Sequence, residues 1–272
     1  MASKKLHLDK YYSSQELADY CTQKAIEVIG RENITELIES SAGNGVFLNS
    51  FEKLLPEIPY QAYDIEPEDD RIVKQDYLSL EMEYKKGRVV IGNPPFGDRG
   101  NLCLKFYKKS ILLSEYIVFI LPIKQYKNTF NMYEYDLLHS ENLKLQNYSG
   151  IELHCCLNIF KKPKNKNNNR NNYKLKDVEI ISSDHRQKIN FKDVKSDVHL
   201  IGWGDAGKVI DNDDYSYCDT YKLVVKNNKL KGKVIELMNK EAIKNEYVFI
   251  SSPRLNKWQV YKYLKENIEG IE

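Results

Sequence analysis

Apolar residues recur at helical and strand spacing in alternation through the first part of the chain. In "SSQELADYCTQKAIEVIG", apolar residues recur at helical spacing from Leu17 to Ile29; Ser14 is a candidate N-cap, and Gly30 ends the segment. "ITELIESSAGNGVFLNSFEKLL" predicts a short strand, a turn containing glycine and then a helix. Because strand patterns alternate with helical ones, we expect an α/β fold with a mostly parallel, doubly wound sheet.

The remaining segments extend this alternation. The strand candidates are "PYQAYDIEP", "RIVKQDYLSL", "RVVIGNPPF", "EYIVFILPIKQYK", "NLKLQNYSG" and "IELHCCLNIFKKP", and "LCLKFYKKSILLS" predicts a helix. Ligands of such sheets bind outside the carboxyl ends of the strands. The side chains with chemical potential in this sequence follow predicted strand ends, so we expect them to meet at one edge of the sheet.

An Asn-rich, basic segment, "KKPKNKNNNRNNYK", divides the chain near residue 164. Its composition is typical of a flexible loop or linker. Beyond it, the short β-like segments "VEIISS", "VHLIGWG" and "YKLVVKN" precede the helical patterns "KVIELMNKEAI" and "NKWQVYKYLKENI". We therefore predict one domain over residues 1–164 and a small α+β region over residues 165–272.

Charge is distributed unevenly over the 272 residues, although the net charge is only +2. Residues 1–160 contain 18 Lys and Arg against 23 Asp and Glu, whereas residues 161–272 contain 23 against 16. A basic C-terminal part is expected to meet a polyanion, and a lysine-rich solvated surface is the alternative.

Composition narrows the class of protein further. A mean hydropathy of −0.59 and the lack of a long apolar run indicate a soluble protein, and the N-terminal residues lack the apolar core of a signal peptide, so we expect a cytoplasmic location. The chain has five irregularly spaced cysteines, which predicts reduced, buried thiols and no metal site.

Two acidic residues and a glycine turn suggest a nucleoside site. In "IESSAGNGVF", Glu39 ends a strand, and Gly43 and Gly45 allow backbone to approach a ligand, although neither a dinucleotide fingerprint nor a phosphate-binding loop is present. Asp64 ends the next strand, where a carboxylate can accept hydrogen bonds from both ribose hydroxyls. Asp76 follows a third strand and could accept from an exocyclic amine; a turn cap is the other interpretation.

The stretch "GNPPFG" ends the fourth strand. Proline is excluded from central strands, so Pro94 and Pro95 must lie just past the strand end, where they remove two backbone donors. The acceptors that remain are the side-chain oxygen of Asn93 and the carbonyl of Pro94. Two acceptors that converge can hold an amino group by both its hydrogens, and Phe96 offers a flat face to a planar base.

"IESSAGNGVF", "YDIEP", "KQDYL" and "GNPPFG", in this order, resemble the S-adenosylmethionine-dependent DNA adenine-N6 methyltransferases in which the cofactor region precedes the catalytic motif. "LDKYYSSQELADYC" resembles the first motif of that group, and the resemblance covers about residues 7–162. The chain departs from the usual pattern at Ser40, where the family often has proline, and at Ser13-Ser14, where it usually has Thr-Pro.

The resemblance implies a Rossmann-like methyltransferase that transfers a methyl group from S-adenosylmethionine to N6 of an adenine flipped out of double-stranded DNA. It implies no metal, and it leaves open a cognate restriction endonuclease as partner and a monomeric or dimeric state. The residues it implies for catalysis are Asn93, Pro94, Pro95 and Phe96. Those it implies for the cofactor are Tyr12, Ser13, Glu39, Ala42, Gly43, Asp64, Ile65, Asp76, Tyr77 and Asn93.

Residues 165–272 would then form the target-recognition region. Tyr126 is a further candidate for the wall of the base pocket. "LIGWGDAGK" could present Trp203 and Lys208 on a turn, although a buried tryptophan is the favoured interpretation. The alternatives are a methyltransferase acting on RNA or on protein glutamine, and a DNA-binding specificity protein that has lost catalysis.

Overall fold

The computed structural model describes residues 12–148, 151–165, 174–183, 190–214, 216–217, 219–249 and 253–272. The chain divides into two compact units, residues 1–171 and 172–272. The sequence placed this boundary slightly earlier, at 164/165. Much of the Asn-rich segment, residues 166–173, lies outside the described residues.

The first unit alternates helices with strands. Its helices are α1 (Gln15–Ile29), α2 (Val46–Leu54) and α3 (Asn101–Leu113). Its strands are β1 (Glu36–Glu39), β2 (Tyr60–Asp64), β3 (Val73–Lys74), β4 (Lys85–Gly92), β5 (Ser114–Pro122), β6 (Asp136–Tyr148) and β7 (Ile151–Lys161).

These strands form one sheet in the order β3-β2-β1-β4-β5-β7-β6. Strands β1 to β5 are parallel, and β7 runs antiparallel to both β5 and β6. The predicted Rossmann-like, mostly parallel sheet is therefore confirmed. The order of strands reverses between β1 and β4, and this switch point is where doubly wound sheets bind ligands.

The central strands are buried on both faces, which explains their nearly continuous apolar runs. Leu37, Val89 and Val118 pack with α1 and α2 in one core, while their sequence neighbours Ile38 and Val90 are equally buried. The helix α1 begins as predicted, because the Ser14 hydroxyl accepts a hydrogen bond from the Leu17 amide at 3.2 Å.

The second unit is the α+β region that the sequence predicts. Its antiparallel sheet has the order β10-β9-β11-β8, and its apolar residues form a separate core. The strands are β8 (Val178–Ser182), β9 (Val198–Ile201), β10 (Val209–Ile210) and β11 (Thr220–Val225), and the helices are α4 (Asn228–Asn239), α5 (Ile243–Tyr247) and α6 (Lys257–Asn267).

When charges are counted for each unit, most of the excess positive charge falls outside the second unit. Residues 172–272 contain 18 Lys and Arg against 16 Asp and Glu, so the second unit is only weakly basic. The excess lies mainly in residues 161–170, which contain Lys161, Lys162, Lys164, Lys166 and Arg170 and no acidic residue. A polyanion would therefore meet its densest positive charge just before the second unit.

Two further observations concern the described part of the chain. None of its helices combines the length and apolar character required to cross a membrane. Trp203, for which the sequence favours burial, is instead 55% exposed, because it follows the end of β9 and lies outside the core.

Asp19 joins α1 to α2, and its ionisation should contribute to stability. Lys53 and Ser50 donate hydrogen bonds to it at 2.7 Å each, and they lower the pKa of Asp19 to about 2. A carboxyl with a lowered pKa stabilises the fold above its unfolded pKa of roughly 3.9, and this contribution is lost as the pH falls towards the folded value. Asp19→Asn should therefore lower the melting temperature at pH 6.

The difference in melting temperature between parent and Asp19→Asn should shrink between about pH 4 and pH 2, because both then carry a neutral side chain. Exposed Asp70 provides the matched control, and Asp70→Asn should have little effect. An Asp19→Asn deficit that stays constant over this range would contradict the assignment.

Candidate functional site

A cavity of about 510 Å³ lies at the carboxyl ends of the strands that flank the switch point. Residues from the end of β1, the end of β2, the turn after β3 and the loop after β4 contribute to it, together with α3. Its lining comprises Tyr12, Ser13, Glu39, Ser40, Ser41, Ala42, Gly43, Asn44, Val46, Phe47, Asp64, Ile65, Glu66, Gln75, Asp76, Tyr77, Leu78, Asn93, Pro95, Gly97, Asp98, Leu102 and Phe106.

Every residue that the sequence assigns to a cofactor belongs to this lining, although the assigned roles stay predictions. Of the four residues assigned to catalysis, two line the cavity and two do not. Asn93 and Pro95 line the cavity, whereas Pro94 is buried and Phe96 is half-buried against the core. Tyr126 also lies outside the lining, with the Lys127 ammonium 5.5 Å from the centre of its ring.

Glu39 connects the loop after β1 to the loop after β4. Its Oε2 accepts a hydrogen bond from the Ser41 amide at 2.9 Å, and the Asn93 amide also donates to this carboxylate. The side chain is only 1% exposed. Burial raises the pKa of Glu39 well above its ordinary value, and the two amide donors only partly oppose that rise.

Gly92 allows Glu39 to occupy this position. A Cβ atom built on Gly92 would lie 1.9 Å from Oε1 of Glu39, which no real Cβ contact permits. The absence of a side chain at the last residue of β4 therefore lets the carboxylate approach the backbone and bind the amide of Asn93.

Two serines orient Asn93. Its Nδ2 donates to the Ser13 hydroxyl at 3.3 Å, and its backbone carbonyl accepts from the Ser41 hydroxyl at 3.2 Å. Ser13 precedes α1 and Ser41 follows β1, so two separate segments contact this one residue. The amide nitrogen is directed at Ser13, and this contact sets which way the side-chain oxygen points.

Asp64 closes the glycine turn against β2. Its Oδ2 accepts from the Gly43 amide at 2.9 Å, and its Oδ1 accepts from the Glu66 amide at 2.8 Å. Each carboxylate oxygen has a second lone pair. A Cβ on Gly43 would lie 3.0 Å from the Tyr12 ring, so the ring covers this turn closely, and the Tyr12 hydroxyl bonds to Glu68.

An apolar wall completes the cavity beside Asp64. Ile65 is 44% exposed there, and Leu78 and Phe106 line the same cavity. The rings of Tyr77 and Phe106 are stacked with centroids 5.5 Å apart, and the Tyr77 hydroxyl lies 2.9 Å from that of Ser110. Burial raises the pKa of Tyr77, so this phenol stays neutral and acts as a fixed part of the wall.

Asp76 combines the two interpretations that the sequence left open. The strand β3 ends at Lys74, two residues earlier than expected, and Asp76 caps the following turn by accepting from the Leu78 amide at 2.9 Å. It also lines the cavity. The cap therefore positions both Asp76 and Leu78 at the cavity.

Sequence reasoning missed the contribution of α3. Leu102 and Phe106 line the cavity from its first two turns. A short 3-10 turn, Asp98–Gly100, links the Asn-Pro-Pro-Phe loop to α3, and the Phe96 carbonyl accepts from the Leu102 amide at 3.1 Å. Leu102 and Phe106 are four residues apart, which places them on one face of a helix. An apolar pair at this spacing, in the first two turns of a helix that follows such a loop, could have identified them from the sequence.

The cysteines and acidic residues form no recognisable metal centre in the described segments, where no three His, Cys, Asp or Glu side chains cluster suitably. Cys21, Cys103, Cys155 and Cys156 are buried thiols, and burial raises the pKa of the Cys103 thiol to about 11. Cys218 lies outside the described residues.

No protein-family model and no curated protein matches the chain. Solved structures resemble it in fold. A Pyrococcus horikoshii protein described as a candidate RNA methyltransferase has 16% identity and a TM-score of 0.47 over 60% of this chain and 92% of its own. A Thermoplasma acidophilum protein has 17% identity and a TM-score of 0.44 over 60% and 94%.

A candidate class I S-adenosylmethionine-dependent methyltransferase from Listeria monocytogenes has 12% identity and a TM-score of 0.44 over 60% of this chain and 66% of its own. The similarity is one of backbone alone, and the sheet order described above gives the fold of this chain independently. The function is therefore inferred below from the residues of the cavity.

The contact between Gly92 and Glu39 leads to a prediction for the glycine. Gly92→Ala should destabilise the fold by about 1–3 kcal/mol, because either the carboxylate or β4 must move. Thermal and urea unfolding would measure this. Gly232→Ala is the matched control, since a Cβ there meets nothing within 4 Å and alanine favours the helix α4 by up to about 1 kcal/mol.

Combining Gly92→Ala with Glu39→Ala should recover part of the loss, because the clashing oxygen is then removed. Equal unfolding free energies for Gly92→Ala and the parent would contradict the close packing described above.

Proposed function

We propose that the chain is an S-adenosylmethionine-dependent methyltransferase that acts on N6 of adenine in DNA. The single observation that carries the proposal is the composition of one cavity. Asn93 of the Asn-Pro-Pro-Phe loop and the nucleoside-type residues Asp64 and Ile65 line the same space at the switch point of the sheet.

The cavity suits S-adenosylmethionine in size and chemistry. Its volume of about 510 Å³ falls within the range of roughly 300–1,000 Å³ that small-molecule sites occupy. Asp64 retains acceptor capacity for ribose hydroxyls, and Ile65, Leu78 and Phe106 offer apolar contact for a base. The Glu39 carboxyl, which also lines the cavity, suits a cationic amino-acid portion.

The Asn-Pro-Pro-Phe loop would hold the acceptor amine. Pro94 and Pro95 have no N–H, so the Asn93 side-chain oxygen and the Pro94 carbonyl are the groups left to accept both hydrogens of an amino group. The hydrogen bond from Nδ2 of Asn93 to the Ser13 hydroxyl supports the orientation in which the side-chain oxygen, and not the nitrogen, meets the amine. S-adenosylmethionine, when bound, would supply a methyl group on a sulfonium, and the residues would contribute positioning and fixed dipoles.

An adenine within a duplex cannot reach such a cavity, so it would have to be flipped out at a cost of a few kcal/mol. Phe96 is half-buried in this loop and lies outside the cavity lining, so it would supply a stacking face to a base bound next to the cavity. The basic residues 161–170 favour a nucleic acid over a protein substrate. Methylation of RNA or of protein glutamine, and DNA binding without catalysis, are distinct outcomes of the test below.

Asn93→Ala should reduce methyl transfer by roughly 10²-fold or more while S-adenosylmethionine still binds, because one of two converging acceptors is lost. Tritium transfer to DNA, RNA and protein substrates measures the first effect, and calorimetric titration measures the second. Asn239→Ala, on the exposed end of α4, is the control and should leave both unchanged.

A parent protein that fails to bind S-adenosylmethionine would refute the proposal. Transfer to RNA or protein in place of DNA would refute the assigned substrate, and cofactor binding without any transfer would indicate a protein that has lost catalysis.

Cofactor affinity should rise with pH as the buried Glu39 carboxyl loses its proton. Burial raises the pKa of Glu39, so the folded protein binds a proton there that a cationic ligand must displace. Asp64 adds to the rise of this pKa through its negative charge. Calorimetry over a series of pH values should show this trend in the parent, with proton release on binding.

Glu39→Gln should bind S-adenosylmethionine more weakly and lose the proton release, while its melting temperature stays close to that of the parent. An unchanged pH dependence in Glu39→Gln would assign the titration to another group.

A further inference from the structure

The hydroxyl of Ser40 is buried at the cavity without a hydrogen-bond partner. The residue is 2% exposed and belongs to the cavity lining, and no described residue forms a hydrogen bond with its Oγ. A buried hydroxyl that makes no hydrogen bond costs free energy. Ser40 therefore has an unused donor at a ligand-binding surface, and a bound molecule can satisfy it.

Ser40 differs in this respect from the hydroxyl-bearing residues around it. The other hydroxyls of the described lining are hydrogen-bonded within the protein, namely those of Tyr12, Ser13, Ser41 and Tyr77. Ser40 is also a position at which the chain departs from the methyltransferases it resembles, which often have proline there. Proline has no hydroxyl, so a contact through this group belongs to this chain and not to the resemblance.

The backbone on both sides of Ser40 is held in place. The Ser41 amide donates to Oε2 of Glu39 at 2.9 Å, and the Ala42 amide donates to the Tyr63 carbonyl at 3.0 Å. Ser40 directly follows the last residue of β1. Its hydroxyl can therefore turn towards a ligand by rotation about one side-chain dihedral, without movement of the loop.

The charge of the described lining is acidic. It contains no Lys, Arg or His, and its five carboxyl side chains are those of Glu39, Asp64, Glu66, Asp76 and Asp98. Such a lining attracts the sulfonium and ammonium groups of S-adenosylmethionine and repels its carboxylate. The carboxylate therefore requires neutral hydrogen-bond donors.

Few neutral donors of the glycine turn remain available for that carboxylate. The amides that already donate within the protein are those of Ser41, Ala42, Gly43 and Gly45. The first turn of α2, where Val46 and Phe47 line the cavity, has no side-chain cap, so the dipole of this helix favours an anion there. The Ser40 hydroxyl adds a donor that the protein does not use.

We propose that the Ser40 hydroxyl donates a hydrogen bond to the carboxylate of the amino-acid portion of S-adenosylmethionine. The preceding residue, Glu39, binds the ammonium of the same portion, so two adjacent residues distinguish its two charges. This inference rests on the proposed function and deepens it, because it adds a cofactor contact that the sequence did not assign.

Ser40→Ala should weaken the binding of S-adenosylmethionine about tenfold, because a hydrogen bond to a charged group is lost. Two analogues locate the effect. 5′-Methylthioadenosine lacks the amino-acid portion, and decarboxylated S-adenosylmethionine keeps the ammonium but lacks the carboxylate. For each analogue, the dissociation constants of parent and Ser40→Ala should agree within about twofold. Calorimetric titration without a methyl acceptor measures all three ligands, so the result does not depend on turnover.

Thermal unfolding without ligand separates this role from a structural one. Ser40→Ala should melt at the parental temperature or above it, because a buried hydroxyl without a partner is removed. Ser114→Ala is the matched control, since Ser114 is equally buried, lies outside the lining and donates to the Ser110 carbonyl at 2.9 Å. It should melt at a lower temperature and bind S-adenosylmethionine as the parent does.

Equal affinity of parent and Ser40→Ala for S-adenosylmethionine would overturn the contact and leave the proposed function intact. A similar loss with either analogue would also overturn it, because the carboxylate is then not the group involved. A parent that binds no S-adenosylmethionine would refute both the contact and the proposed function. The expected pattern of affinities, in a parent that binds the cofactor but transfers no methyl group, would support the contact and refute the proposed activity.

Discussion

The buried carboxyl of Glu39 is the contact on which the cavity depends. It accepts backbone hydrogen bonds from Ser41, in the loop after β1, and from Asn93, in the loop after β4. Those loops flank the switch point, and neither has regular structure to hold it. Burying a carboxyl is costly unless hydrogen bonds compensate, and here the compensation comes from the two amides that need positioning. Gly92 makes the arrangement possible because any side chain at that position would occupy the site of Oε1.

The rest of the cavity repeats this use of short polar contacts on a rigid sheet. Asp64 binds the amide of Gly43, Asp76 binds that of Leu78, and Ser13 and Ser41 bind Asn93. The strands beneath are buried on both faces, so their ends are held in place by the packing of the core. These polar side chains therefore have two roles: they fix the loop conformation and they line the cavity. A substitution that removes one of them should therefore alter both loop position and ligand contact.

The two units differ in what they present. The described cavity is lined entirely by residues of the first unit, in which the central strands are buried on both faces. The second unit has its own core and an antiparallel sheet, and it exposes the Trp203 indole. The most basic part of the chain, residues 161–170, comes at the end of the first unit.

The spacing of apolar residues and the polar residues at strand ends were enough to predict the sheet and part of the cavity from the sequence alone. Period and glycine placement predicted the doubly wound sheet, and polar residues after apolar runs identified Glu39, Asp64 and Asn93, because parallel strands bring their carboxyl ends to one edge. Only the tertiary structure decided that Leu102 and Phe106 line the cavity, that Phe96 and Pro94 do not, that Gly92 accommodates Glu39, and that Trp203 is exposed. Those outcomes depend on contacts between segments far apart in the chain, and hydrophobic periodicity contains no information about which distant atoms will compete for the same space.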